Sequence, residues 1–132
     1  MTPLEKLMAE YDDELSFVFK KDMPDELKGL FVGKTVYINA NLNFEECLTV
    51  LAEEIGHYET LAPGTDISDY HNMKLENKGR DWGREKLVPI EELRKFIKGK
   101  ESVEGYELAE KFGVSGDYIK EVVSMYRTKG AI

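Results

Sequence analysis

Two glycines four residues apart, Gly79 and Gly83, stand inside a stretch near Lys74 to Leu87 that otherwise reads as a helix, with Leu75, Gly79, Trp82 and Lys86 on one stripe. Together they cost that helix roughly 2 kcal/mol in propensity. Gly56, inside an earlier helical run, costs that run about 1 kcal/mol more. Glycines at such positions are expected where a second backbone must come close, so each helix should pass tightly against a neighbour. Gly79 and Gly83 lie three and seven positions after Glu76, on its side of the helix. If the neighbour is the Gly56 helix, Glu76 is carried towards the side chains of that helix.

The earlier run has its own start signal. Asn43 is a good N-cap, Glu46 can close a capping box, and Leu48, Leu51, Ala52 and Ile55 then recur at helical spacing. Within it stands Glu53-Glu54-x-x-His57. The full form of this pattern, H-E-x-x-H, stacks two zinc ligands four residues apart on one helical face and sets the intervening Glu beside the metal as general base. Glu53 and His57 keep the ligand spacing, and Glu54 keeps the base position. By itself the string is a weak signal, because acidic pairs on solvated helix faces are common and a plain surface patch is the more frequent outcome. Glu76 would complete three protein ligands with a fourth position open, as a catalytic zinc site requires. It can equally pair with Arg80, four residues on, and periodicity leaves both readings open.

A length of 132 residues with 42% hydrophobic content suits one domain with a core and at most a small appendage. The formal net charge of −8 argues against binding along a phosphate backbone, so no direct nucleic-acid contact is expected. That charge suits a basic protein partner or a divalent cation. Cys47 is the only cysteine, which excludes an intramolecular disulfide, and its place beside Leu48 and Leu51 reads as a small core residue rather than a nucleophile. No N-terminal apolar run resembles a signal peptide and no window resembles a membrane span, so the expected setting is cytoplasmic, without a membrane.

Along the chain, Pro3 to Asp13 carries Leu4, Leu7, Met8 and Tyr11 as a short amphipathic helix. Leu15 to Phe19 is a candidate first strand. Lys28–Val32 and Thr35–Asn39, split by Gly33-Lys34, read as a hairpin, so a small antiparallel sheet is expected before the Glu53 helix. A polar loop from Pro63 through His71 follows that helix. Tyr106 to Ser115 and Tyr118 to Val123 resemble a helix-turn-helix, with Leu108, Ala109, Phe112 and Val114 packing and Ser115 capping the second helix. Asp117 would meet phosphates with the wrong sign, so this tail is read as a helical cap or a protein-binding surface. The fold class expected is α+β.

The order of these parts resembles the ImmA/IrrE family of zinc metallopeptidase-like proteins. The likeness lies in the hairpin entering Leu51-Ala52-Glu53-Glu54-Ile55-Gly56-His57-Tyr58, then Glu76-x-x-Gly79-x-x-Trp82-Gly83, then Lys86-Leu87-Val88-Pro89. The family usually has alanines where Gly79 and Gly83 stand, and both residues remain small, as close helix packing asks. The resemblance implies a peptidase-like core with a zincin-like active-site helix over residues 1–89, and a helical tail packed on it over 90–132.

Carried over residue by residue, it makes His57 the second histidine ligand, Glu54 the general base and Glu76 the downstream acidic ligand. Glu53 stands where the family has its first histidine. A carboxylate can bind zinc, so Glu53, His57 and Glu76 remain a set, but a harder one that favours Mn, Mg or Ca relatively more and acidifies a bound water less, so weaker zinc binding and weaker hydrolysis than at a full H-E-x-x-H site are expected. His71 is a second imidazole that could replace the missing one, though loop histidines are more often solvent-exposed. Tyr58 and Tyr70 could offer hydroxyls to an oxyanion, but packing is the commoner role. Two functions follow as expectations. One is a zinc-dependent endopeptidase cutting a prophage or mobile-element transcriptional repressor, and the other is a regulator that controls such a repressor by contact, with no metal required.

Overall fold

Val36 and Ile38, fully buried two positions apart, give β3 (Thr35–Asn39) the strongest claim to the centre of a sheet. In the computed structural model, which describes residues 1–61 and 73–132, β3 is flanked by β1 (Ser16–Lys20) and β2 (Gly29–Val32) in the order β1-β3-β2. β2 and β3 form the expected antiparallel hairpin, with Val32 opposite Thr35 and a φ of 61° at Gly33, the first residue of the two-residue turn.

The antiparallel sheet expected from the sequence is corrected to a mixed one. β1 runs parallel to β3, from Ser16 beside Thr35 to Lys20 beside Asn39. The cause lies in the segment between β1 and β2, which crosses the end of β3 and is fastened there. The buried Asn39 side chain donates through Nδ2 to the carbonyls of Pro24 at 3.2 Å and Leu27 at 3.1 Å. Asn39 N also donates to Lys28 O at 2.9 Å, and Ala40 N to Lys20 O at 2.8 Å. The chain therefore reaches the far side of β3 before β2 begins, and the most buried strand takes the middle.

The opening helix α1 (Pro3–Tyr11) starts with a complete capping box between Thr2 and Glu5. In α2 (Phe44–Thr60) only half of the expected box forms. Asn43 Oδ1 accepts from Glu46 N at 2.8 Å, while the Glu46 carboxylate lies 3.8 Å from Nζ of Lys28, the residue before β2. The inner face of α2, formed by Leu48, Leu51, Ala52 and Ile55, is fully buried. Cys47 is buried with them, as a core residue should be, and burial raises its thiol above the usual range.

After the undescribed residues come α3 (Met73–Leu87) and α4 (Ile90–Ile97), then α5 (Gly105–Phe112) and α6 (Gly116–Thr128). Gly113 ends α5 in the left-handed region at φ 71°, and Ser115 caps α6 by accepting from Tyr118 N at 3.1 Å. Val88, Leu93, Leu108, Val114, Ile119, Val122 and Met125 join the same apolar cluster as the α2 face. Tyr126 is buried among them and donates its hydroxyl to Val88 O at 2.7 Å. Among the described residues no helix is long and apolar enough to cross a membrane.

Candidate metal centre

The crossing of α2 and α3 is set by glycine. A Cβ at Gly56 would fall within 3.0 Å of the Gly79 carbonyl oxygen, closer than real Cβ atoms come to anything. One turn earlier on α2, Ala52 lies against Gly83, where a Cβ would stand 3.2 Å from the Ala52 carbonyl carbon and oxygen. Backbone thus meets backbone, and the helix-breaking cost of these residues is recovered in contact.

That crossing brings Glu76 of α3 to Glu53 and His57 of α2. Each of the three offers a ligand atom, and these atoms lie within 4.8 Å of one another. The i, i+4 spacing on α2 sets His57 Nε2 3.9 Å from Glu53 Oε1. On the other side of the ring, Glu54 Oε2 is 3.6 Å from His57 Nδ1. A carboxylate on one side of the ring is the kind of neighbour that orients an imidazole whose other nitrogen faces a ligand cluster. His57 is buried, and the Glu54 side chain is only 14% exposed. Gly29 of β2 makes room for Val50 and Glu54 of α2, since a Cβ there would stand 2.8 Å from Val50 Cγ1 and 3.3 Å from Glu54 Cγ and Oε1.

Two carboxylates and one imidazole form a donor set that fits a divalent ion, with an oxygen-rich character that suits Mn as well as zinc. The same cluster contains a cation of the protein. Arg80 Nε donates to Glu53 Oε1 at 3.2 Å, and its guanidinium lies 3.8 Å from Glu76 Oε1. The Glu53 hydrogen bond raises the guanidinium further above its already high range. Glu76 thus lies near Glu53 and His57 and also makes the expected i+4 pair with Arg80.

In the sequence Arg80 stands out only as the i+4 partner of Glu76. Its bond to Glu53 crosses between helices and has no local signal. A cavity of about 300 Å³ opens beside this group, lined by Glu53, Arg80, Thr49 and, from α6, Tyr118 and Glu121. The burial of Tyr118 raises its phenol strongly, so the hydroxyl stays protonated at neutral pH. The sequence marks Tyr118 only as a helix residue of the tail. Tyr58 has the packing role, stacked on Phe31 at 5.8 Å with its hydroxyl donating to Glu14 Oε1 at 3.3 Å. Tyr70 and His71 lie outside the described residues.

Compared with known families, residues 6–122 match the peptidase M78 profile, described as IrrE N-terminal-like domain. No curated protein matches the chain, and no solved structure does.

Proposed function

This chain belongs to the IrrE N-terminal-like peptidase family and carries its metallopeptidase-like scaffold; from that premise we propose that it is a metal-dependent endopeptidase, with zinc as the expected ion, acting on a transcriptional repressor of a prophage or mobile element. The observation that carries the reading is the convergence of Glu53, His57 and Glu76 from two helices. A divalent ion held by these three would supply Lewis acidity, polarising a peptide carbonyl and acidifying a water.

The protein's own groups do the rest. Glu54 takes the proton of the attacking water and returns it to the leaving amine. Its carboxylate, 3.6 Å from His57 Nδ1, also stands where it can orient the imidazole. Among the described residues β2 is an edge strand, and its first residue packs against Val50 and Glu54, so an extended peptide added along that edge would run past the base. Tyr118 offers a protonated hydroxyl from the neighbouring cavity to a peptide carbonyl. The repressor as substrate comes from the family resemblance, and the net charge of −8 complements a basic DNA-binding protein.

The test is incubation of the metal-loaded protein with a repressor encoded beside it, followed by mass spectrometry of fragments. Glu54→Gln should retain metal and lose cleavage by roughly 10²–10⁴-fold. Cleavage that is unchanged in Glu54→Gln overturns the mechanism. One observation favours a second reading, in which the chain controls the repressor by contact alone: Arg80 already supplies a cation to Glu53 at 3.2 Å. In that case repressor control survives Glu54→Gln and no fragment forms.

A further inference from the structure

We propose that Arg80 is the counter-charge that allows a glutamate to stand at a histidine ligand position: it balances Glu53 electrostatically and thereby sets how tightly the cluster holds a divalent ion. This rests on the reading of Glu53, His57 and Glu76 as a metal-holding set. Exchange of a neutral imidazole for a carboxylate adds one negative charge to the ligands. The Arg80 guanidinium, 3.2 Å from Glu53 Oε1 and 3.8 Å from Glu76 Oε1, returns one positive charge to the same place. With a neutral His57, the cluster and its arginine carry one net negative charge, the same as two imidazoles and one carboxylate.

The contact geometry supports balance rather than simple blockade. Arg80 Nε bonds the same Glu53 oxygen that faces His57 Nε2 at 3.9 Å. A carboxylate oxygen has two lone pairs, so it can accept from Arg80 on one side and meet an ion on the other. The Arg80 side chain is 44% exposed, so it can lean outwards without breaking packing. Before an ion binds, the same guanidinium keeps two carboxylates from repelling each other across the α2–α3 crossing. Arg80 is thus a positioning residue, acting through Glu53 and Glu76.

A merely structural ion pair and a counter-charge predict opposite signs. If Arg80 only ties α2 to α3, its loss loosens the site and metal binding weakens. If it balances charge, its loss removes a repulsive neighbour of the ion and binding tightens. The experiment is calorimetric titration of zinc and of manganese into the whole chain and into its Arg80→Gln and Arg80→Lys variants, with circular dichroism and melting of the metal-free forms. Arg80→Gln should bind roughly tenfold tighter, the order expected when one unit charge about 6 Å from a divalent ion is removed in a largely solvated site. Its metal-free form should melt lower and gain more on metal addition, while Arg80→Lys, which keeps the charge, should stay near the wild-type affinity. Wild-type binding with equal or weaker affinity in a folded Arg80→Gln overturns the proposal and leaves the metal site standing. No binding in either folded protein overturns both.

Discussion

Gly56→Ala adds a single methyl group in the middle of a helix, where alanine is preferred by about 1 kcal/mol, so propensity alone predicts a more stable protein. The crossing predicts the reverse. The new Cβ would sit inside 3.0 Å of the Gly79 carbonyl oxygen, a backbone atom that cannot swing aside as a side-chain end can. The helices must separate, and overpacking of a dense interface costs about 1–3 kcal/mol, occasionally more. A rigid obstacle places this substitution at or beyond the top of that range, and separation also loosens the Ala52–Gly83 contact. After the propensity gain, a net loss of about 2–3 kcal/mol is expected. For a chain of this size that is a fall in melting temperature of roughly 8–12 °C.

Gly83→Ala is the matched control. The chemistry and the propensity gain are the same, but the nearest atoms stand at 3.2–3.4 Å, where a shift of a few tenths of an ångström suffices. Its net effect should stay within about 1 kcal/mol of wild type. The assay is thermal and urea unfolding of the three metal-free proteins by circular dichroism. Because the separation also carries Glu76 away from Glu53 and His57, Gly56→Ala should bind metal more weakly as well. A Gly56→Ala protein as stable as Gly83→Ala would refute the claim that backbone contact at Gly56 and Gly79 sets the crossing.

Tyr126→Phe removes the donor to the fully buried Val88 residue's carbonyl and should cost about 1–2 kcal/mol in urea unfolding. The Tyr126 phenol is pushed up to about 12, first by burial and then by Glu85. A phenol whose folded pKa lies above its unfolded value of 10 gives stability that is full below pH 10 and lost as pH rises towards 12, so unfolding should steepen across that window. Ultraviolet titration of tyrosinate should show this class of phenol ionising late, and Tyr126→Phe should remove part of the alkaline loss.

Much of the fold could be read in the sequence because its signals are local. Asn43 and Ser115 cap the helices that begin after them, and Gly33-Lys34 turns the hairpin it splits. The close helix crossing was readable too, since glycine inside a helix has a cost that needs an explanation. The direction of β1 was not, because alternation fixes which residues face the core but not which neighbour a strand takes. That choice rests on the Asn39 side chain and two distant carbonyls, a tertiary arrangement with no periodic trace. The shared face of Glu53 and His57 was readable from spacing within one helix, and the approach of Glu76 from its place relative to Gly79 and Gly83, whereas the roles given to them and to Glu54 come from the motif and the family resemblance. The Arg80 bond to Glu53 and the approach of Tyr118 from α6 depend on how separate helices meet, and no local pattern encodes them.

The central claim is that Glu53, His57 and Glu76 form one divalent-metal site across two helices. Equilibrium dialysis of the purified protein against zinc, beside His57→Ala and Glu76→Ala variants with their helical content checked, tests it most directly. The account predicts one ion per chain in the wild-type protein, lost from both folded variants. A folded wild-type protein that binds none, or variants that bind as much as the parent, would contradict it.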